Sequence, residues 1–253
     1  MAKWRLFFTV LPFTLLFGLA KLAIHRQGWE PWAFDSLTGA LFGAATFVIA
    51  FVLSGTLSNY NASEDMVVQF VNAVESIEDV NLLAAASHPS YDGAPLRSQL
   101  AQVLGSTEGW LRNALPLEQL EQALGHLNSE FAALRSQTEV SAGNRCLTEL
   151  ARMRILITRM HINRSTSFLG PAYAMLEIFL VGAVLALLLI SAERFSENLV
   201  VSCFLFTSFT YLLLLIRDLD NPFQYDGSSC VDVDLSMLTA CRDRLLARVG
   251  RAS

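Results

Sequence analysis

The sequence predicts an all-α membrane protein with four helical spans and a helical region between spans two and three. Apolar residues are concentrated in two blocks, Trp4–Ser58 and Phe168–Ile216, whereas Asn59–Ser167 between them is polar and charged. A soluble domain spreads its core residues along the chain, but a membrane span needs about 20 consecutive apolar residues. The polar middle shows apolar residues at helical spacing and no strand pattern.

Four segments are long enough to cross about 30 Å of hydrocarbon at about 1.5 Å per residue. They are Trp4–Ile24, Leu37–Ser58, Leu169–Ala192 and Leu199–Ile216. The first span has a basic start that is also typical of a signal peptide, and we expect it to be retained in the membrane. These segments divide the chain into spans one and two (1–58), a middle region (59–167), spans three and four (168–217) and a tail (218–253).

Basic residues predict the orientation of the spans. Lys3 and Arg5 precede span one, and five arginines precede span three: Arg145, Arg152, Arg154, Arg159 and Arg164. The positive-inside rule then places the N-terminus, the middle region and the C-terminus in the cytosol. We expect a multi-pass integral protein of a bacterial inner membrane or an organelle membrane, with the lipid bilayer as its first partner.

The middle region predicts four helices. The helix of span two should continue to about Ala86, because no Gly or Pro interrupts the chain before His88-Pro89. Two further helices are predicted at about Leu96–Ala114 and Leu117–Gln137. A fourth should start near Val140 and run on into span three.

Composition and motifs argue against an enzyme and against nucleic-acid binding. No G-x-S-x-G, Walker A, G-x-G-x-x-G or H-E-x-x-H motif occurs, and the four histidines are scattered. The net charge is −5, which does not favour binding to phosphates.

Span two has the composition of a pore-lining helix. Apolar rings with polar groups on either side are typical of a channel constriction, and aromatic edges can favour anions. The candidate residues are Phe47 and Phe51, with Val48 and Val52 on a second face, the hydroxyls Ser54 and Ser58, and the polar exit Asn59 and Asn61. The alternative is helix packing through small residues, since Gly39 and Gly43 form a G-x-x-x-G pattern.

Two acidic features lie near the other spans. Glu177 is a carboxylate inside span three, so it should face protein or water, either as a pore residue or as a packing group bonded to another helix. Asp218, Asn221 and Asp226 follow span four and offer oxygen ligands for a calcium ion. The alternative there is a solvated helix end, and no other cofactor is expected.

Two stretches resemble the bestrophin family. "LDNPFQYD" with "VDVDLSMLTACRDRLL" is similar to the segment after the fourth bestrophin span, and "SNYNASEDMVVQFVNAVESI" resembles the exit of the second. The resemblance implies a ring-shaped homopentamer that conducts chloride or other inorganic anions through a neck lined by span two. It implies neck residues at Phe47 and Phe51, or at Val48 and Val52, and in animal members a calcium site at the acidic tail. A non-conducting sensor or accessory subunit acting through the helical middle is the second hypothesis.

Overall fold

The computed structural model describes residues 4–165, 170–225, 227, 229 and 231–250. These residues form eight helices and one pair of two-residue parallel strands. The helices are α1 (Arg5–Arg26), α2 (Ser36–Ser87), α3 (Ala94–Leu111), α4 (Leu117–Gln137), α5 (Val140–Ser165), α6 (Gly170–Leu189), α7 (Phe195–Asp220) and α8 (Ser236–Val249). The strands, β1 (Trp32–Ala33) and β2 (Ile190–Ser191), correct the expectation of a purely helical chain.

Local chemistry sets several helix ends where the sequence predicts them. The prediction that the second helix continues unbroken past the span is confirmed, because α2 ends at Ser87, just before His88-Pro89. Helix α4 has the predicted bounds and begins directly after Pro116. The predicted run of α5 into span three falls on residues 166–169, which lie outside the described residues.

The chain divides into two compact units. We call Met1–Tyr60 with Ser167–Asn221 the membrane unit, and Asn61–Thr166 with Pro222–Ser253 the polar unit. Helix α2 supplies residues to both units. In the described part of the chain, α1, α2 and α7 are long and apolar enough to cross a membrane. The described apolar part of α6, Tyr173–Leu189, is shorter, so span three, which contains it, stays a prediction.

Close helix contacts build the membrane unit. Helices α1 and α7 approach closely where Gly18 meets Cys203: a Cβ at Gly18 would lie 3.3 Å from the sulfur atom. One turn away, the hydroxyls of Thr14 and Thr207 are 2.8 Å apart. Small residues and hydroxyls at such contacts are typical of helices packed in membranes.

A buried polar network fixes α2 to the start of α3 in the polar unit. Arg97 Nε donates to Glu78 Oε1 at 2.6 Å. Asn81 Nδ2 donates to Glu78 Oε2 at 3.0 Å and to the carbonyl of Gly93 at 2.9 Å. The Tyr91 hydroxyl donates to Asn81 Oδ1 at 2.8 Å, so the network joins the helix to the turn that follows it. All five residues are found in 78–97, and the turn is therefore held by side chains as well as by its backbone.

Candidate functional site

One face of α2 forms the core of the membrane unit. Ala45, Ile49 and Val52 are buried against residues of α6 and α7, among them Leu176 and Phe209. They recur every three or four residues, which is the spacing of one helix face. The packed side of the helix is therefore defined by contacts within a single chain.

The opposite face of α2 is open. Phe47 and Phe51 are 72% and 73% exposed. A Cβ placed at Gly39 or Gly43 would meet no described atom within 4 Å, so the G-x-x-x-G pattern packs against no described part of this chain. We call this surface, from Gly43 to Ser58, the open face of α2. Apolar side chains exposed on a membrane span are covered by lipid or by another protein, and the small residues beside them allow a second helix to approach closely.

The predicted pore residues divide between these two faces. Phe47, Phe51, Ser54 and Ser58 lie on the open face. Val52 is buried in the core, and Val48 is half-buried and packs against it. The exposed positions therefore favour Phe47 and Phe51 over Val48 and Val52 as residues that could face a pore. The pore role of all these residues stays a prediction.

The exposed side of α2 carries acidic and amide groups where the helix enters the polar unit. Asn59 and Asn61, predicted as a polar exit, are both exposed. Asp65, Asn72 and Asp79 follow at intervals of seven residues, which places them on one face, and all three are exposed. Helix α2 contains five carboxylates and no Lys, Arg or His. Its own charge is therefore entirely negative.

Glu177 lies on an exposed surface of α6. Its carboxylate makes no hydrogen bond or ion pair with the residues that the structure describes. A bare carboxylate in a span is costly in contact with lipid, so this position calls for water or a second protein surface. The prediction that Glu177 faces protein or water remains untested.

Described residues around the Asn-Pro-Phe step of the acidic tail make specific contacts. Phe223 is fully buried, and the Tyr225 hydroxyl donates to the carbonyl of Val233 at 2.7 Å. Of the proposed calcium ligands, Asp218 and Asn221 are half-buried, and Asp226 lies outside the described residues. Among the described residues no group of three or more His, Cys, Asp or Glu side chains could hold a metal. The calcium site therefore stays a prediction.

Sequence reasoning missed a buried lysine and its acidic neighbour in the membrane unit. Lys21 is fully buried, and its Nζ donates to the carbonyls of Leu187 at 2.7 Å and Ile190 at 2.9 Å, at the C-terminal end of α6. Glu30 Oε1 lies 3.9 Å from the same nitrogen, and His25 Nδ1 is 2.9 Å from Glu30 Oε2. A cation at the carbonyl end of a helix is favoured by the helix dipole. The lysine thereby joins α1 to the end of α6.

Comparison with solved structures gives the fold a precedent. The chain has a TM-score of 0.77 against a bacterial bestrophin homologue from Klebsiella pneumoniae, in a substituted form, with 17% identity over 94% of this chain and 97% of that one. A structure described as a membrane protein has a TM-score of 0.80 at 16% identity, covering 95% of this chain and 98% of the other. No protein-family model and no curated protein matches the chain. The chain therefore has the fold of bacterial bestrophin homologues.

Proposed function

We propose that the chain is the subunit of an ion channel, and that copies of it assemble around a pore lined by the open face of α2. The observation that carries this proposal is the division of α2 into two faces. One face is buried by α6 and α7, while the other exposes Phe47 and Phe51 with no described partner in the chain. A ring of such helices would place aromatic constrictions on a central axis, followed by hydroxyl and amide groups. Five subunits are implied by resemblance alone.

The charge of α2 bears on which ion passes. The family resemblance implies chloride or other anions, and phenylalanine edges are compatible with them. Rings of carboxylates, however, favour cations. Asp65 and Asp79 are exposed on a helix without any basic residue, although Arg152 of α5 reaches Gln69 at the edge of this face. Because full charges act more strongly than ring edges, α2 favours cation conduction over the anion conduction that the resemblance implies.

Reconstitution of the purified full chain in planar bilayers tests the function. We expect single-channel currents, and Phe51→Ala should change their conductance because it removes an aromatic ring from the constriction. Phe204→Ala is the matched control, since Phe204 of α7 is also 72% exposed but lies outside α2. Under a tenfold KCl gradient, the sign of the reversal potential gives the ion, with a limit of about 59 mV for a perfectly selective pore.

Two results would contradict the channel proposal. The first is a protein that assembles in lipid but carries no current, which would support the second hypothesis of a sensor or accessory subunit. The second is an equal effect of Phe51→Ala and Phe204→Ala, which would place Phe51 in contact with lipid.

A further inference from the structure

Helix α5 exposes an apolar stripe on the surface of the polar unit. Val140, Leu147, Ile155 and Ile162 are all exposed, at intervals of seven or eight residues. This spacing keeps them on one side of the helix. Arg154 and Arg159 flank the stripe, and neither guanidinium forms an ion pair in the part of the chain that the structure describes. Apolar side chains bordered by arginine are typical of a protein interface.

The neighbours of α2 in the polar unit identify the surface that would meet this stripe. Arg152 of α5 donates to Gln69 at 3.2 Å, and Arg244 of α8 binds Glu75. Around the helix, the exposed side of α2 at Asp65 lies between these two contacts. Helices α5 and α8 therefore border that exposed side on opposite flanks. We call these two sides of the polar unit the α5 flank and the α8 flank. In a closed ring whose inner wall is the exposed side of α2, the α5 flank of one copy faces the α8 flank of the next copy. Such a contact between two different surfaces is a heterologous interface.

The heights of the two flanks also match. Helix α5 runs antiparallel to α2, since Asn163 binds Ser63 while Arg152 binds Gln69. Helix α8 runs parallel to α2, since Arg248 lies 3.7 Å from Glu78 while Arg244 binds Glu75.

At about 1.5 Å per residue, Ile155 and Met237 then fall within about one helical turn of the same level. Asp234 lies just before the first turn of α8, near the level of Arg159, and its carboxylate accepts from the backbone N–H and the hydroxyl of Ser236. Met237 is 44% exposed, and Asp234 is also exposed, so both are accessible to a second copy.

We propose that the α5 stripe of one copy docks on the α8 flank of the next copy, with Ile155 against Met237 and Arg159 paired with Asp234. The proposal rests on the pore model, because it takes the exposed side of α2 as the inner wall. It names one apolar contact and one ion pair, which can be tested separately.

Cysteine crosslinking tests the apolar contact in the full chain, with Cys203 and Cys230 replaced by serine. Ile155→Cys with Met237→Cys should give a ladder of covalent oligomers under oxidation, and each rung adds one subunit. Ile155→Cys with Leu246→Cys is the matched control, because Leu246 is 48% exposed but lies nine residues from Met237, on the opposite side of α8. Absence of the ladder, or an equal ladder in the control, would overturn the contact.

Charge reversal tests the ion pair by mass measurement in lipid nanodiscs. Arg159→Glu should lower the assembled mass. Adding Asp234→Arg should raise it again, because every interface then carries the swapped pair, although the change also removes the carboxylate that accepts from Ser236 at the start of α8. Arg135→Glu, at an exposed arginine of α4, should leave the mass unchanged. A full-mass ring with Arg159→Glu that has lost only its binding to anionic vesicles would overturn the proposal in favour of a lipid surface. A wild-type ring that crosslinks as expected but carries no current would refute the channel and leave this interface standing.

Discussion

Replacing Arg97 by leucine should destabilise the polar unit far more than replacing an exposed arginine. Arg97 and Glu78 are almost fully buried and 2.6 Å apart, so the variant leaves a carboxylate in the core without its main partner. Removing one member of a buried pair costs about 3–5 kcal/mol. Arg248 lies 3.7 Å from the same carboxylate but is half-exposed, so it compensates in part. The lower end of the range, about 3 kcal/mol, is therefore expected.

Thermal unfolding in detergent, followed by circular dichroism, measures this loss. For a chain of this size, about 3 kcal/mol corresponds to a fall of about 6–12 °C in Tm. The control is Arg112→Leu, which should cost less than about 1 kcal/mol, because Arg112 is half-exposed and Glu108 keeps Arg242 as a partner at 2.8 Å. The double variant Arg97→Leu with Glu78→Leu should lose much less than the sum of the single variants, because no buried charge remains. A fall in Tm equal to that of the control, or full additivity in the double variant, would refute the reasoning.

Three other changes probe the buried polar groups. Gly93→Ala should destabilise the polar unit by about 1–3 kcal/mol, since the new Cβ would lie 2.7 Å from Asn81 Oδ1; an unchanged Tm would show that the network gives way freely. Burial raises the pKa of Tyr91 to about 12, so the tyrosine of the unfolded chain ionises first, near pH 10. The contribution of Tyr91 to stability should therefore be complete below pH 10 and lost between pH 10 and 12. Tyr91→Phe should abolish that part of a curve of Tm against pH. Lys21→Met should cost about 3 kcal/mol in thermal unfolding, because it leaves Glu30 buried without its lysine. Adding Glu30→Gln to the same chain should recover part of that loss. No recovery would exclude a coupling between the two residues.

Turn chemistry and periodicity made much of the helix layout predictable. His88-Pro89 ends α2 at Ser87, and Pro116 precedes α4, so both boundaries follow from local backbone preferences. The strand pair β1–β2 was not predictable, because two residues are too few to show an alternating pattern.

The candidate site was predictable only in part. Helical spacing separates Phe47 and Phe51 from Val48 and Val52, but it does not say which face other helices cover. That choice depends on Leu176 and other residues more than a hundred positions away. The charge of α2 is readable from sequence, whereas the position of Arg152 beside Gln69 comes from the fold.

The contacts of Lys21 have a consequence for how the protein is made. The carbonyl of Leu187 that accepts from its ammonium group lies 166 residues further along the chain, so α1 enters the bilayer long before that acceptor is synthesised. During this interval the lysine, near the end of its span, must extend toward the lipid headgroups. Arrival of α6 then draws the charge into the protein. The order of insertion thus gives the first helix a provisional position in the membrane, which becomes permanent only when the third apolar segment is in place.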